Sequence, residues 1–466
     1  MSDDVELCVV GAGPAGAALA TRLAGLGHDV AIVDQHRFPR PHVGESLSPG
    51  IWPLLDTLGV SDRVTEAGFT QTSIARVRWR DDNEERTEAP GGLTVDRGDF
   101  DAILLQRARE SGARALAPAR ARRPIRHGDG WELPLGDRVL RARSLADATG
   151  RRRLLSGRCS PTAPRTLALH AIWRGGPPPD GTQTCIDVSA DGWLWGARLP
   201  DGTFRAMAFV DPETLRAEGR DRLGLYHRLL AQSRMFAELT TCAAITGPVR
   251  VCDATSYAAL TSIDECSVKV GEAAFAIDPL SSSGVQTAIQ TGLAAAAAVH
   301  SILAREGDPA AAIAYYTTHQ RHSVDRHAVT AASLYAEHRT HAHESFWQRR
   351  SAAPPPVPEE RVPVTTPLAD LLARRVHLHA DAALRDTPCV VGDHVEVRRA
   401  LTHPVLDRPV AFLGGEELAP LLELLPASPS LAHVIGGWDR VLRTGHAIAI
   451  ADWLHARGLL VEMDAR

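Results

Sequence analysis

The sequence predicts an α/β protein with three parts. These are a Rossmann-like dinucleotide-binding domain, an antiparallel β-sheet domain inserted into it, and a small C-terminal winged-helix-like domain. Three observations carry this reading. The apolar run Val5–Val10 passes straight into Gly11-Ala12-Gly13-Pro14-Ala15-Gly16 and then into helix-patterned sequence. Four alternating runs cluster between residues 160 and 265. A proline-rich stretch at 351–367 sets residues 368–466 apart as a separate unit behind a stiff linker.

The first 34 residues read as strand, turn, helix, strand. Gly11 allows the tight turn, Gly13 lets the backbone approach a pyrophosphate, and Gly16 lets the helix pack on the strand. The helix, expected over 17–26 with Gly27 as its stop, points free N–H groups and a positive dipole end at the phosphates. The second strand, 28–33, ends in Asp34, which is placed to accept hydrogen bonds from a ribose. Residues 35–49 hold prolines and glycine and form a loop, and 51–58 reads as a helix. The run 75–80 alternates as a strand, and Arg97 precedes a helix that extends through Glu110. A strand over 139–145 ends in Asp147-Ala-Thr-Gly150, a small-residue turn of the kind that leaves room for ligand at a sheet's carboxyl end.

The four alternating runs are 167–173, 184–188, 193–199 and 204–210. Trp193 and Trp195 stand two apart and so share one face. That face is either an aromatic pocket or the sheet's packed core. The segment 268–286 returns to the nucleotide domain as strand, loop and a helix opening near Gly284, a second helix N-terminus suited to an anion. The expected domain limits are therefore 1–160 with 265–350, 161–264 with strands from 70–95, and 368–466. Residues 310–349 read as helix and carry His319, His322, His327, His338, His341 and His343. Metal sites use i, i+3 pairs, but no acid stands in register, and the histidines read better as a solvated or interdomain face. In the last unit, strands about Gly392 precede three helices and a terminal strand.

Composition excludes several classes. A net charge of −5 argues against a nucleic-acid partner. No run of about 18 apolar residues was found to suggest a membrane span, and the N-terminus has no basic, apolar leader. Seven scattered cysteines without a CxxC pair suit reduced thiols, and a cytoplasmic location is expected. The oligomeric state is left open. Lys269 is the one lysine; the other fifty Lys and Arg positions are arginine.

Gly11-x-Gly13-Pro14-Ala15-Gly16, Arg97-x-x-Phe100-Asp101, Asp147-Ala-Thr-Gly150 and Gly271-Glu-Ala-Ala with Asp278-Pro279 together resemble the FAD-dependent aromatic monooxygenase superfamily. The Gly-Asp usual in its second motif is Gly271-Glu272 here. Val43-Gly-Glu-Ser-Leu47 and Asp278-Pro-Leu-Ser-Ser-Ser-Gly284 resemble its flavin-dependent tryptophan halogenase branch, over about residues 5–340. The resemblance implies that FAD is held by Gly11 to Gly16, Asp34, Gln35, Gly44, Glu45, Ser46, Arg97, Asp278, Pro279, Ser283, Gly284, Val285 and Gln286. It also implies NADH or NADPH as electron donor. Glu45 and Trp195 are the candidate catalytic residues, chosen on position.

Two departures speak against halogenation. Halogenases use a lysine after the Gly-Glu-Ser loop, whereas 70–80 holds Ser73 and no lysine. Their Trp-x-Trp-x-Ile-Pro is loosened to Trp193-Leu-Trp195-Gly-Ala-Arg-Leu-Pro200. The expected chemistry is hydroxylation of an aromatic ring. The C-terminal layout is similar to small winged-helix modules that recognise leader peptides, so a peptide or small-protein substrate is expected to dock there, as a local tether would. The peptidyl-tryptophan hydroxylating flavoproteins of tryptophan-derived quinone cofactor biogenesis are the nearest resemblance. The alternatives are a small-molecule aromatic hydroxylase, a flavin-dependent reductase or FAD-binding partner protein, and, disfavoured, a halogenase.

Overall fold

The computed structural model describes residues 4–128, 130–155, 157–175, 184–237, 239–304, 307–351, 367–425 and 428–463. The chain forms two compact units, 1–303 with 316–354, and 304–315 with 355–466. The proline-rich linker lies almost wholly outside the described residues.

The first unit holds two eight-stranded sheets. In the nucleotide sheet, Ser267–Lys269, Arg138–Asp147, Asp4–Val10, Val30–Val33 and Arg114–Leu116 lie side by side and parallel. Asp4–Val10 and Val30–Val33 are buried on nearly every residue and read as continuous apolar runs, whereas Arg138–Asp147 alternates over its exposed first half. The Pro14–Gly25 helix takes proline in its first turn, where a missing N–H costs nothing. Ala17 and Ala18 of this helix share a core with Val285 and Ile289 of the Gly284–Ala304 helix. That second helix runs 21 residues at mean hydropathy 1.3, long and apolar enough to span a membrane by those measures alone, contrary to the sequence expectation. Its window is 61% buried within the protein, which makes it a core helix here.

The second sheet runs Ala244–Asp253, Leu167–Arg174, Phe204–Val210, Gly192–Arg198, Thr184–Ser189, Thr70–Val77, Glu85–Thr94, Ser46–Leu47. It is antiparallel except where Thr184–Ser189 meets Thr70–Val77 in parallel, a pairing the expected antiparallel sheet did not include. One face packs Leu169, Trp173, Leu194 and Ala206 against the Arg222–Ala231 helix. The other carries Trp193, Trp195, Met207 and Phe209. The expected single helix over 310–349 is two, Pro309–Glu337 and Ser345–Arg350. His338 breaks it by accepting the His341 N–H at 2.9 Å.

The second unit contains an antiparallel hairpin of two nine-residue strands, Ala383–Val391 and His394–Thr402. Helices Leu418–Leu422, Leu431–Trp438 and His446–His455 follow, and Leu460–Glu462 pairs with Val376–Leu378. Their apolar faces meet around buried Trp438, Leu431 and Leu454.

Candidate functional site

The phosphate loop is shaped by backbone crowding. Gly11 sits at φ +107°, and a Cβ there would lie 2.3 Å from the Ala148 carbonyl oxygen. A Cβ on Gly16 would lie 2.0 Å from the Gly11 carbonyl. At Gly13, among the described residues and apart from its chain neighbours, Arg40 Nη2 at 3.6 Å is the one atom within 4 Å of that position, so the space in front of the helix is open. Gly13 caps the helix without any side chain, which leaves its first N–H groups available. Ala12, Pro14 and Ala15 complete this turn. Asp34 is buried, and its carboxylate accepts the Ala12 N–H at 2.9 Å and the His36 N–H at 2.9 Å. Asp34, the expected ribose acid, is thereby fixed to the Gly11–Gly16 turn. Gln35 beside it accepts a hydrogen bond from Arg152 Nη1 at 3.2 Å.

Arg40 is a residue that the sequence reading missed. Its Nη2 meets Asp101 at 3.2 Å and faces the Gly13 opening, while Nη1 of the same guanidinium is buried without a partner among the described residues. An orphaned buried guanidinium N–H is costly unless something anionic accepts it. These features fit a dinucleotide diphosphate. The signal available in sequence was only an arginine shortly after the ribose acid.

Arg97 does not face outward. Asp101 grips it at 3.0 and 3.2 Å, and its Nη1 donates to the carbonyls of Val43 and Gly44 at 3.0 and 3.2 Å. Arg97 thus clamps the loop that ends at Ser46, which pairs with Thr94. Glu45 is buried in an ion pair with Arg205 at 2.6 Å, and it accepts the Gly44 N–H at 2.9 Å. These contacts make it the tie between the loop and the second sheet; they do not describe a free base. Arg205 also donates to His170 Nδ1 at 3.0 Å. Burial, with Arg205 and Arg250 nearby, pushes the His170 pKa down to about 4.

The second motif lies where the nucleotide sheet ends. Asp278 accepts the Leu280 N–H at 3.0 Å and caps the short turn Pro279–Ser281. Ser281 and Ser283 hydroxyls meet at 2.8 Å, and Gly284 and Val285 open the long helix. Gln286 accepts the Ser48 hydroxyl at 2.7 Å, joining this motif to the first loop. Burial raises the Asp278 carboxyl above its usual range, opposed by the Leu280 N–H, Arg350 and Tyr335.

Trp193 and Trp195 do share a face, within a cluster that includes Trp79, Phe209, Tyr335 and Trp347. Trp193 stacks on Phe209 at 3.9 Å and donates to the Tyr335 hydroxyl at 3.1 Å. Tyr335 in turn donates to Asp278, at 3.3 Å to the nearer oxygen. Trp79 donates to the Leu334 carbonyl and Trp347 to that of Ser189. Three of the four indoles are therefore satisfied within the protein. Trp195, buried in the same cluster, makes no such bond among the described residues. His338 is buried rather than solvated, stacked on Trp347 at 3.7 Å.

The segment 70–80 forms the Thr70–Val77 strand and the turn after it, beside this cluster. Its Arg78 is buried and held by Asp187, by Asp82 at 3.0 Å and by the Val188 carbonyl at 3.1 Å. Lys269 lies in the nucleotide sheet, donating to the Thr261 carbonyl at 3.1 Å. A separate group, His379, Asp381 and His403, gathers in the second unit within 4.8 Å. There the Asp381 and Val405 amides donate to the two Nδ1 atoms, which puts a proton on each Nε2 and works against a metal.

Two families match the chain, an FAD binding domain over residues 4–133 and tryptophan halogenase over 85–381. Tryptophan 2-halogenase of Chondromyces crocatus is 29% identical over 379 residues, 76% of this chain and 72% of that protein. A flavin-dependent halogenase of Metacordyceps chlamydosporia is 26% identical, and this chain spans 64% of its length. Among solved structures, the peptidyl tryptophan dihydroxylase QhpG aligns with TM-score 0.76 at 24% identity, covering 98% of this chain and 100% of QhpG. The flavin-dependent halogenase CmlS aligns with TM-score 0.77 at 22% identity, covering 99% and 96%.

Proposed function

The chain belongs to the tryptophan halogenase family of FAD-dependent enzymes, and from that premise we propose that it is a monooxygenase of that fold. In this reading it hydroxylates an aromatic ring, the indole of a tryptophan held in a peptide or small protein. The observation that carries it is the position of the one lysine. The family's halogenation chemistry needs a lysine amine after the Gly-Glu-Ser loop, and here Lys269 is held in the nucleotide sheet. Arg78, the buried cation of the matching segment, is engaged by Asp187, Asp82 and a carbonyl.

When bound and reduced by NADH or NADPH, FAD would supply oxygen activated for transfer. The open helix end at Gly13 and the unpartnered Nη1 of Arg40 would hold its diphosphate, and Asp34 its ribose. The Asp278–Gln286 segment would position the ring. The Trp193 and Trp195 face would orient an aromatic substrate and exclude water.

A peptide substrate is supported by the full-length likeness to QhpG, which includes the C-terminal unit. The equal likeness to CmlS means that the fold does not choose between the two chemistries. Halogenation is the second reading, favoured by the names of the relatives.

One product assay separates these readings. Purified protein with FAD, NADH or NADPH, O₂ and halide is offered free tryptophan, and separately a tryptophan-containing peptide. Oxygen added only to the peptide is the expected result. Oxygen on the free amino acid would replace the peptide by a small-molecule substrate, and halogen in either product would overturn the proposal.

A further inference from the structure

Three loops leave the carboxyl ends of parallel strands at one end of the nucleotide sheet. They follow Val33, Leu116 and Asp147. Ligands of open α/β sheets bind in the crevice outside these ends. Two of the loops are densely basic. Residues 117–128 contain four arginines and no Asp or Glu, and residues 148–158 contain four arginines and no Asp or Glu. This contrasts with the net charge of −5 over the whole chain.

The loops meet at the ribose acid. The Ala119 N–H donates to the Asp34 carbonyl at 2.7 Å. Arg152 reaches both other loops, donating to Gln35 Oε1 at 3.2 Å and to the Ala121 carbonyl at 3.5 Å. Arg151 is neutralised by Glu272 at 3.2 Å and Asp253 at 3.7 Å. Arg37, Arg120, Arg122, Arg123, Arg152 and Arg153 are exposed, and among the described residues none pairs with a carboxylate. Unneutralised cations this close together form a field that extends about one Debye length into solvent.

We propose that this arginine rim is an electrostatic capture surface for FAD, drawing the incoming diphosphate toward the crevice in either redox state. The rim acts on arrival, whereas Gly13 and Arg40 act on the bound molecule. It rests on FAD binding alone and stands whichever reaction the enzyme performs.

The test is stopped-flow binding of FAD to the full-length apoprotein, read by quenching of flavin fluorescence across a salt series. Wild type is compared with R120Q/R122Q/R123Q, three side chains on one loop, and with R37Q/R153Q on the other two. The association rate of the triple variant should fall about tenfold at low salt, within the range that steering supplies. The wild-type rate should fall steeply with salt and converge on the variant's near 0.5 M, roughly where screening removes the field. Dissociation rates should be unchanged. Equal association rates and equal salt slopes in wild type and both variants would overturn the proposal, as would an affinity loss found wholly in dissociation.

Discussion

The phosphate loop and the aromatic cluster belong to the same unit and are specified in opposite ways. In the loop, backbone meets backbone: Gly11 and Gly16 are required by carbonyl oxygens 2.3 and 2.0 Å from where a Cβ would stand. The requirement is local and leaves a motif within six residues. In the cluster, side chains meet across long sequence distances. Trp193 reaches Tyr335, 142 residues away, and Trp79 reaches Leu334, 255 residues away. No short pattern records such a contact. A backbone-defined site should fail abruptly on substitution, and a side-chain-defined site should fail by degrees.

The sharpest way to break the comparison is Gly16→Ala against Gly196→Ala. The added methyl at Gly16 strikes the Gly11 carbonyl, which has nowhere to move without closing the phosphate opening. G16A should purify without FAD. At Gly196 the methyl would meet Phe204 and Phe236 rings at 2.4 and 2.6 Å. Those rings shift, so G196A should cost about 1–3 kcal/mol of stability, the usual price of overpacking, and retain FAD. Flavin content after gel filtration and urea unfolding check both. Yellow G16A protein would show that the loop tolerates what its geometry forbids.

His170 gives the next largest effect, and it depends on pH. Its folded pKa lies near 4, below the usual value of about 6.5. Protonating Nδ1 would also remove the acceptor that Arg205 uses. The folded state therefore resists a proton that the unfolded state accepts. Stability is full above pH 6.5 and declines as pH falls toward 4, by roughly 3 kcal/mol at most. H170Q should flatten that limb of the unfolding free energy. An unchanged slope would assign the acid loss to other groups.

Much of the fold could be read from short strand-forming runs bounded by turn residues, although strands such as Gly192–Arg198 are buried on both faces. Strands 167–174, 184–189, 192–198 and 204–210 were visible in alternation within a residue or two. The Ala244–Asp253 edge strand was not. Most of its residues are exposed, and it contains Gly247-Pro248, so nothing in it alternates strongly. The Arg222–Ala231 helix was hidden because its buried Leu225, Tyr226, Leu229 and Leu230 complete a sheet's core rather than one of their own. Arg40 and Tyr335 were missed for one reason: each matters through an atom contributed by a distant segment.

Tyr335→Phe sharpens the graded half of the comparison. The ring keeps its packing, while the link from Trp193 to Asp278 is cut. A hydrogen bond to a buried charged group is worth about 1.5–3 kcal/mol. Y335F should weaken FAD binding on the order of tenfold or more, because the turn capped by Asp278 leads into the helix at Gly284. It should also displace the bound flavin's visible absorption. A drop in apoprotein melting temperature with unchanged FAD affinity and spectrum would make Tyr335 a core residue only.

Lys269→Met is the smallest expected effect and the most direct on chemistry. The amine donates to a single carbonyl from a strand second from the edge of the nucleotide sheet, near Gly157 and Asp147. An exposed contact of this kind contributes about 1 kcal/mol or less. If oxygenation is the reaction, no step passes through an amine, and K269M should give the same product at the same rate per bound flavin. If a halogenated product forms in wild type and vanishes in K269M, this lysine reaches the substrate by a rearrangement of the nucleotide sheet. Unchanged product with an unchanged flavin spectrum would leave the aromatic cluster, with no lysine of its own, as the surface on which the reaction is decided.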